Sequence, residues 1–292
     1  MTEVGFCASM DVNRLKGQAL CLSLADCRGE GPALSGLPCF PADHSGGFFP
    51  GAGFPAGTGA VFYMLPDILS GVPFADKIAA GAAFEAARPG PWLWVDEETV
   101  FLKKPVLPDE SLLAANPVDL RNIGEAPGTQ PDEFWRILLD RFGLEDGLPG
   151  LRSTVSGEPV RGYYNAGMIL VRENRHAFRA ALDAMTELMG SPAFRRVLAA
   201  SPLRPVFFHQ AVLSCALEAL YPGRIVRLPE GWNLPYHLRT SWPGSLKSAD
   251  PVSLRYDDCF DGMLPEAVDG RTFLSRVRAA CDRDAQTRKE GL

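Results

Sequence analysis

An α/β fold, a sheet of buried strands with helices on its faces, is what this 292-residue sequence predicts. Three observations carry that expectation. Val4 to Ser9 reads as a short strand, and after the turn 10–13 the stretch Arg14 to about Cys27 has a helical pattern, with apolar positions Leu15, Ala19, Leu22 and Leu24 to Ala25 that fit a helix packed on a sheet face. Pro73 to Ala87 is an Ala-rich helix that stops at Arg88-Pro89-Gly90 and delivers the chain into Trp92–Val95, an apolar run that ends on three acids, Asp96, Glu97 and Glu98. Further strand and helical patterns follow as far as residue 256. Unbroken apolar runs of this length suit strands covered on both faces, and in such sheets ligands gather beyond the carboxyl ends of the strands.

The chain is long enough, and at 46% hydrophobic rich enough, to bury a large core. A net charge of -6 with scattered basic residues offers no phosphate-backbone footprint, so nucleic acid is not expected as a partner. The seven cysteines contain no C-x-x-C pair and read as reduced thiols in a cytoplasm. No apolar run reaches the length of a membrane span and no positively charged leader precedes residues 4–9. One domain over residues 1–292 is expected, with a Gly/Pro-rich irregular segment at 28–59 and a charged helical tail at 270–292.

Within 28–59, Cys39-Phe40 or Phe48-Phe49 are candidates for a short extra strand. Further strands are expected at 60–65, 99–102, 117–123, 168–171, 224–228 and 252–256, and helices at 131–142, 177–189, 193–200 and 206–220. The oligomeric state is not legible.

The acids after Trp92–Val95 are the first candidates for chemistry, because carboxylates one residue apart at a strand end suit a hard divalent cation such as Mn²⁺ or Mg²⁺ that faces substrate phosphates. Ser9 and Asp11 end the first strand, where a nucleoside could meet them, although Asp11 could equally cap the helix that follows. Lys77 could reach a phosphate from its helix, or be a solvated lysine. Asn165-Ala166-Gly167 precedes the apolar strand 168–171, a Gly step of the kind that admits a ligand or another backbone. His209 and Gln210 lie near the start of a helix, where free N–H groups favour anions.

WLWVDEETVFLKKP resembles the W-L-D-x-D-T-x-F-L-x-x-P segment of nucleotide-sugar glycosyltransferases of the GT-A fold, in particular the glycogenin and galactosyltransferase-like family 8. Three more segments resemble that family in order: YYNAGMILVR its F-N-A-G strand, FFHQAVLSCAL its D-Q-D helix, and RIVRLPEGWNLPYH its R-V-x-x-L-P-x-x-W-N strand and loop. The resemblance covers residues 60–260. It implies a Rossmann-like mixed sheet flanked by helices, a nucleotide-sugar donor (a UDP-sugar first), an acceptor hydroxyl and a Mn²⁺ or Mg²⁺ ion held by Asp96, Glu98 and Asp257, with His237 competing for the third place. It also implies donor or acceptor contacts at Asn165, Gly167, Gln210 and His209. Glu98 departs from the family's second Asp, and His209 from the first acid of D-Q-D. Two other readings stay open: a GT-A-like nucleotide-sugar-binding protein that has lost transfer, and another metal-dependent phosphate-handling enzyme.

Overall fold

The computed structural model describes residues 4–9, 20, 22–23, 34–41, 61–87, 90–106, 111–144, 147–257, 259 and 270–290. In chain order the strands are β1 (Val4–Ser9), β2 (Leu34–Pro41), β3 (Val61–Tyr63), β4 (Trp92–Val95), β5 (Thr99–Phe101), β6 (Leu113–Pro117), β7 (Gly150–Arg152), β8 (Pro159–Arg161), β9 (Tyr164–Val171), β10 (Ile225–Val226), β11 (Leu234–Pro235) and β12 (Ser253–Arg255). The helices are α1 (Ala75–Ala87), α2 (Glu133–Phe142), α3 (Ala177–Gly190), α4 (Pro192–Ala199), α5 (Leu203–Leu220), α6 (Gly244–Ser248) and α7 (Gly270–Glu290). The expected α/β class, a mixed sheet flanked by helices, is what the chain adopts.

The main sheet has seven strands in the order β10-β6-β9-β4-β1-β2-β3. Neighbours are parallel except at β9, which runs antiparallel to both β4 and β6. A small sheet, β11-β12-β5, sits beside it. The step from β4 to β5 is Asp96-Glu97-Glu98, so the acidic stretch is the joint between the two sheets.

The reason for burial of β4 is visible in its alternation. Trp92 and Trp94 point to one face, where both rings lie 5.3 Å from Phe178 of α3, and the Phe84 ring of α1 packs tilted against Trp92 at 5.2 Å. Helix α1 crosses α3 closely because Gly81 has no side chain: a Cβ there would lie 2.1 Å from Phe178 Cδ1. Glu85 of α1, 2% exposed, accepts the Phe178 N–H at 3.2 Å and the Arg179 N–H at 2.9 Å, and so caps α3 from a neighbouring helix. A second, separate core joins Val100, Leu254 and Tyr256 to Phe273, Leu274 and Val277 of α7.

Several expected elements are shifted. The strand expected at 117–123 is Leu113–Pro117 instead; Val118 onward leaves the sheet, its N–H bonding to the Tyr163 carbonyl. The apolar Leu-Leu-Ala-Ala run, not the mixed PVDLRNI stretch, meets the pattern of a doubly covered strand, and that is where β6 forms. Cys39-Phe40 lies inside β2, so the extra strand exists, while Phe48-Phe49 falls outside the described residues. The hairpin β7-β8 was not expected. Of the early helix only Leu20, Leu22 and Ser23 are described, and they are helical.

Candidate functional site

The site assembles where β4, β6 and β12 end and β9 begins. From β4 the chain presents Asp96, 8% exposed, whose N–H bonds the Gly167 carbonyl at 2.8 Å. Antiparallel pairing of β4 with β9 therefore brings the Asn165-Ala166-Gly167 step beside the first acid. That step is clamped from two sides. Trp94 Nε1 donates to the Ala166 carbonyl at 2.8 Å, and Gln210 of α5 accepts the Ala166 N–H at 3.1 Å. Ser214, one turn further along α5, accepts the Tyr164 N–H at 3.0 Å.

Two groups that the sequence reading did not single out complete the cluster. Asp119 follows β6 by two residues, and Arg255 ends β12. Arg255 donates from Nη2 to Asp119 Oδ2 at 2.5 Å, from Nη1 to Asn165 Oδ1 at 2.8 Å, and from Nε to Asp257 Oδ2 at 3.3 Å. Asn165 Nδ2 donates to Asp119 Oδ2 at 2.9 Å, and Thr154 Oγ1 to Asp119 Oδ1 at 2.7 Å. Asn233, at φ 51°, sends Nδ2 to Asn165 Oδ1 at 3.3 Å. Asp119 was legible by the rule that found Asp96, an apolar run ending in acid, once the run is read one element earlier. Arg255 carried no such local signal.

Burial works against the charge on Arg255, but Asp119, Asp257 and Asp96 outweigh it and hold its pKa above the ordinary value. Burial likewise opposes the charge on Asp257, yet Arg255, His237 and Glu98 together hold its carboxyl well below the usual range. His237 Nδ1 contacts Asp257 Oδ2, and the Glu98 carboxyl hydrogen-bonds Asp257. On the other side, Lys77 Nζ lies 2.7 Å from Asp96 Oδ1. Burial disfavours the Lys77 ammonium, but Asp96 leads the acids that raise its pKa. Lys77 is thus an acid-paired cation of the site, with a side chain 21% exposed.

The other expected residues divide. His209 is buried and apart from the acids: its ring lies 5.0 Å from Phe74, and Nδ1 is 3.1 Å from the Val206 carbonyl. Burial, then the nearby Lys77, push its pKa down to about 3, so it is neutral. Gly167 is where a close approach occurs, since a Cβ there would be 2.8 Å from Asn165 Oδ1 and 3.1 Å from Arg255 Cδ. Ser9 ends β1, with its side chain outside the described residues; Asp11 lies outside them altogether.

A divalent ion needs oxygen donors that converge with room around them. Among the described residues no group of three or more His, Cys, Asp and Glu side chains could hold a metal ion. Asp96 is paired with Lys77, Asp257 with Arg255 and His237, and Glu98 hydrogen-bonds Asp257. The donor set does not fit the expected ion.

No protein-family profile matches this chain. No curated protein matches it either. Solved structures do: a galactosyltransferase, LgtC, in complex with donor and acceptor sugar analogs (12% identity, 87% of each chain, TM-score 0.47) and mouse xyloside xylosyltransferase 1 in its apo form (12% identity, 87% of this chain and 97% of that one, TM-score 0.42). The glycosyltransferase GlyE of Streptococcus pneumoniae TIGR4 is similar at 11% identity over 87% of this chain and 55% of its own, with TM-score 0.43. Among the described residues no helix is long and apolar enough to cross a membrane.

Proposed function

We propose that this chain is a GT-A-type glycosyltransferase, a single domain over residues 1–292 that moves a sugar from a nucleoside-diphosphate donor, a UDP-sugar first, to an acceptor hydroxyl. One observation supports this above others. Four segments that resemble that family, far apart in sequence, meet around one buried polar cluster: Asp96 bonds Gly167, Gln210 bonds Ala166, and Asn233 bonds Asn165.

In the proposed reaction the acceptor oxygen bonds the anomeric carbon while that carbon's bond to the diphosphate oxygen breaks, and the hydroxyl proton leaves with solvent or a base. Lys77 is the partly exposed cation that would meet the leaving diphosphate, and Asn165 and Gly167 would line the sugar side. A Mn²⁺ or Mg²⁺ ion on Asp96, Glu98 and Asp257 would supply charge neutralisation of the leaving group. Because those acids do not converge, no step is assigned to it. The setting proposed for it is the cytoplasm, where the seven cysteines would stay reduced.

A second reading, nucleotide-sugar binding without transfer, is favoured by His209 and Gln210. Both are engaged with backbone at Val206 and Ala166. One experiment separates the two: a panel of UDP-, GDP- and TDP-sugars, followed by thermal shift and by donor hydrolysis, with and without Mn²⁺. Stabilisation with hydrolysis supports transfer; stabilisation without turnover on any acceptor supports binding alone. No stabilisation by any sugar nucleotide rejects both.

A further inference from the structure

We infer that Arg255 takes the place of a divalent cation in this acid cluster, so that the site is closed, and any nucleotide is bound, without metal. The nucleotide half of this inference rests on the donor-site reading; the cation half does not.

What a metal does in such a site is to tie together carboxylates that arrive from separate strands. Arg255 already does so. Its guanidinium joins Asp119 beyond β6, Asn165 in β9 and Asp257 beyond β12, in one planar fork of N–H donors. Room for that fork is made by Gly167, since any Cβ there would press at 3.1 Å on both Arg255 Cδ and Nη1. Of the acids that Arg255 does not bond, Asp96 is matched by Lys77 and Glu98 hydrogen-bonds Asp257. An arriving ion would have to displace Lys77 from Asp96 and sit beside a fixed guanidinium, at 6% exposure, where salt screens little. The three bonds also leave N–H donors of the fork for a ligand oxygen.

The test has two arms. In the first, Mn²⁺ is titrated into the 292-residue chain and free Mn²⁺ is read by its electron paramagnetic resonance signal. The expected result is no uptake; uptake of one equivalent overturns the inference. In the second, UDP, GDP and TDP are tested by thermal shift in EDTA and in Mn²⁺. An equal shift in both buffers supports the inference, and a shift that requires Mn²⁺ overturns it. If none of the three shifts the melting temperature in either buffer, the donor-site reading fails and the first arm alone judges the cation.

Variants sharpen the result. Arg255→Met is expected to weaken nucleotide binding in EDTA by about tenfold or more, with Arg255→Lys in between, because Lys keeps the charge and loses the fork. Arg255→His removes the fixed charge and adds a metal ligand, so it is expected to gain Mn²⁺ uptake. Should these variants fail to fold, the wild-type arms still decide.

Discussion

Lys77 in the first turn of α1 and Asp96 at the end of β4 form an ion pair, Nζ to Oδ1 at 2.7 Å, so the helix that precedes the strand returns a cation to the acid at its far end. Both side chains are mostly buried, and removing one partner leaves the other uncompensated. Lys77→Met is expected to destabilise by about 2–4 kcal/mol, less in an Asp96→Asn background. A double-mutant cycle in urea measures this, and additive single effects would show that the pair carries no coupling.

Gln210 acts on the fold through Ala166. Its Oε1 accepts the Ala166 N–H, so Gln210→Ala leaves a buried donor unmatched and should cost about 1–3 kcal/mol. Gln210→Glu retains an acceptor and should recover most of that loss. Chemical denaturation of the two variants provides the check, and equal destabilisation by both would contradict the stated role.

Glu85 makes stability depend on pH. Burial raises its pKa to about 7, from an ordinary 4.5, although three backbone N–H groups of α3 oppose the shift. Between those values the folded state binds more protons than the unfolded state, so stability falls as pH rises from 4.5 through 7, by about 3 kcal/mol from this group. Urea melts across pH 4.5 to 8 should show the wild type losing stability relative to Glu85→Gln over that window. Parallel curves would remove Glu85 as the cause.

Gly81 sets the distance between α1 and α3. Gly81→Ala improves helix propensity by about 1 kcal/mol, yet its Cβ would collide with the Phe178 ring, and the expected net result is a loss of about 1–3 kcal/mol. Pairing it with Phe178→Leu should restore part of the loss by making room. A stabilised Gly81→Ala single variant, read by thermal melting, would show that the helices separate freely.

How far the sequence could be read depended on whether the signal was local. Trp92–Val95 followed by Asp96 needed only a short window, because a strand buried on both faces must be apolar throughout and its end must be where polarity returns. The same logic held at Leu113–Pro117 but was obscured by the Asn116-Pro117 turn residues, and Asp119 was passed over with it. His209 had the right place on α5 and the wrong direction, since its ring packs on Phe74. No window of sequence holds the register that decides this.

By itself, then, the sequence determined the α/β class, the buried strand and the acid at its end, since each follows from hydrophobic pattern along a few consecutive residues. Only the tertiary structure decided which charges meet that acid and Asp119. Lys77, 19 residues before Asp96, and Arg255, 136 residues after Asp119, are brought in by strand order and helix packing. The physical reason is that a charge in a buried site is set by the partners within a few ångströms, and those partners come from elements adjacent in space, helix α1 and strand β12 of the small sheet, not adjacent in the chain.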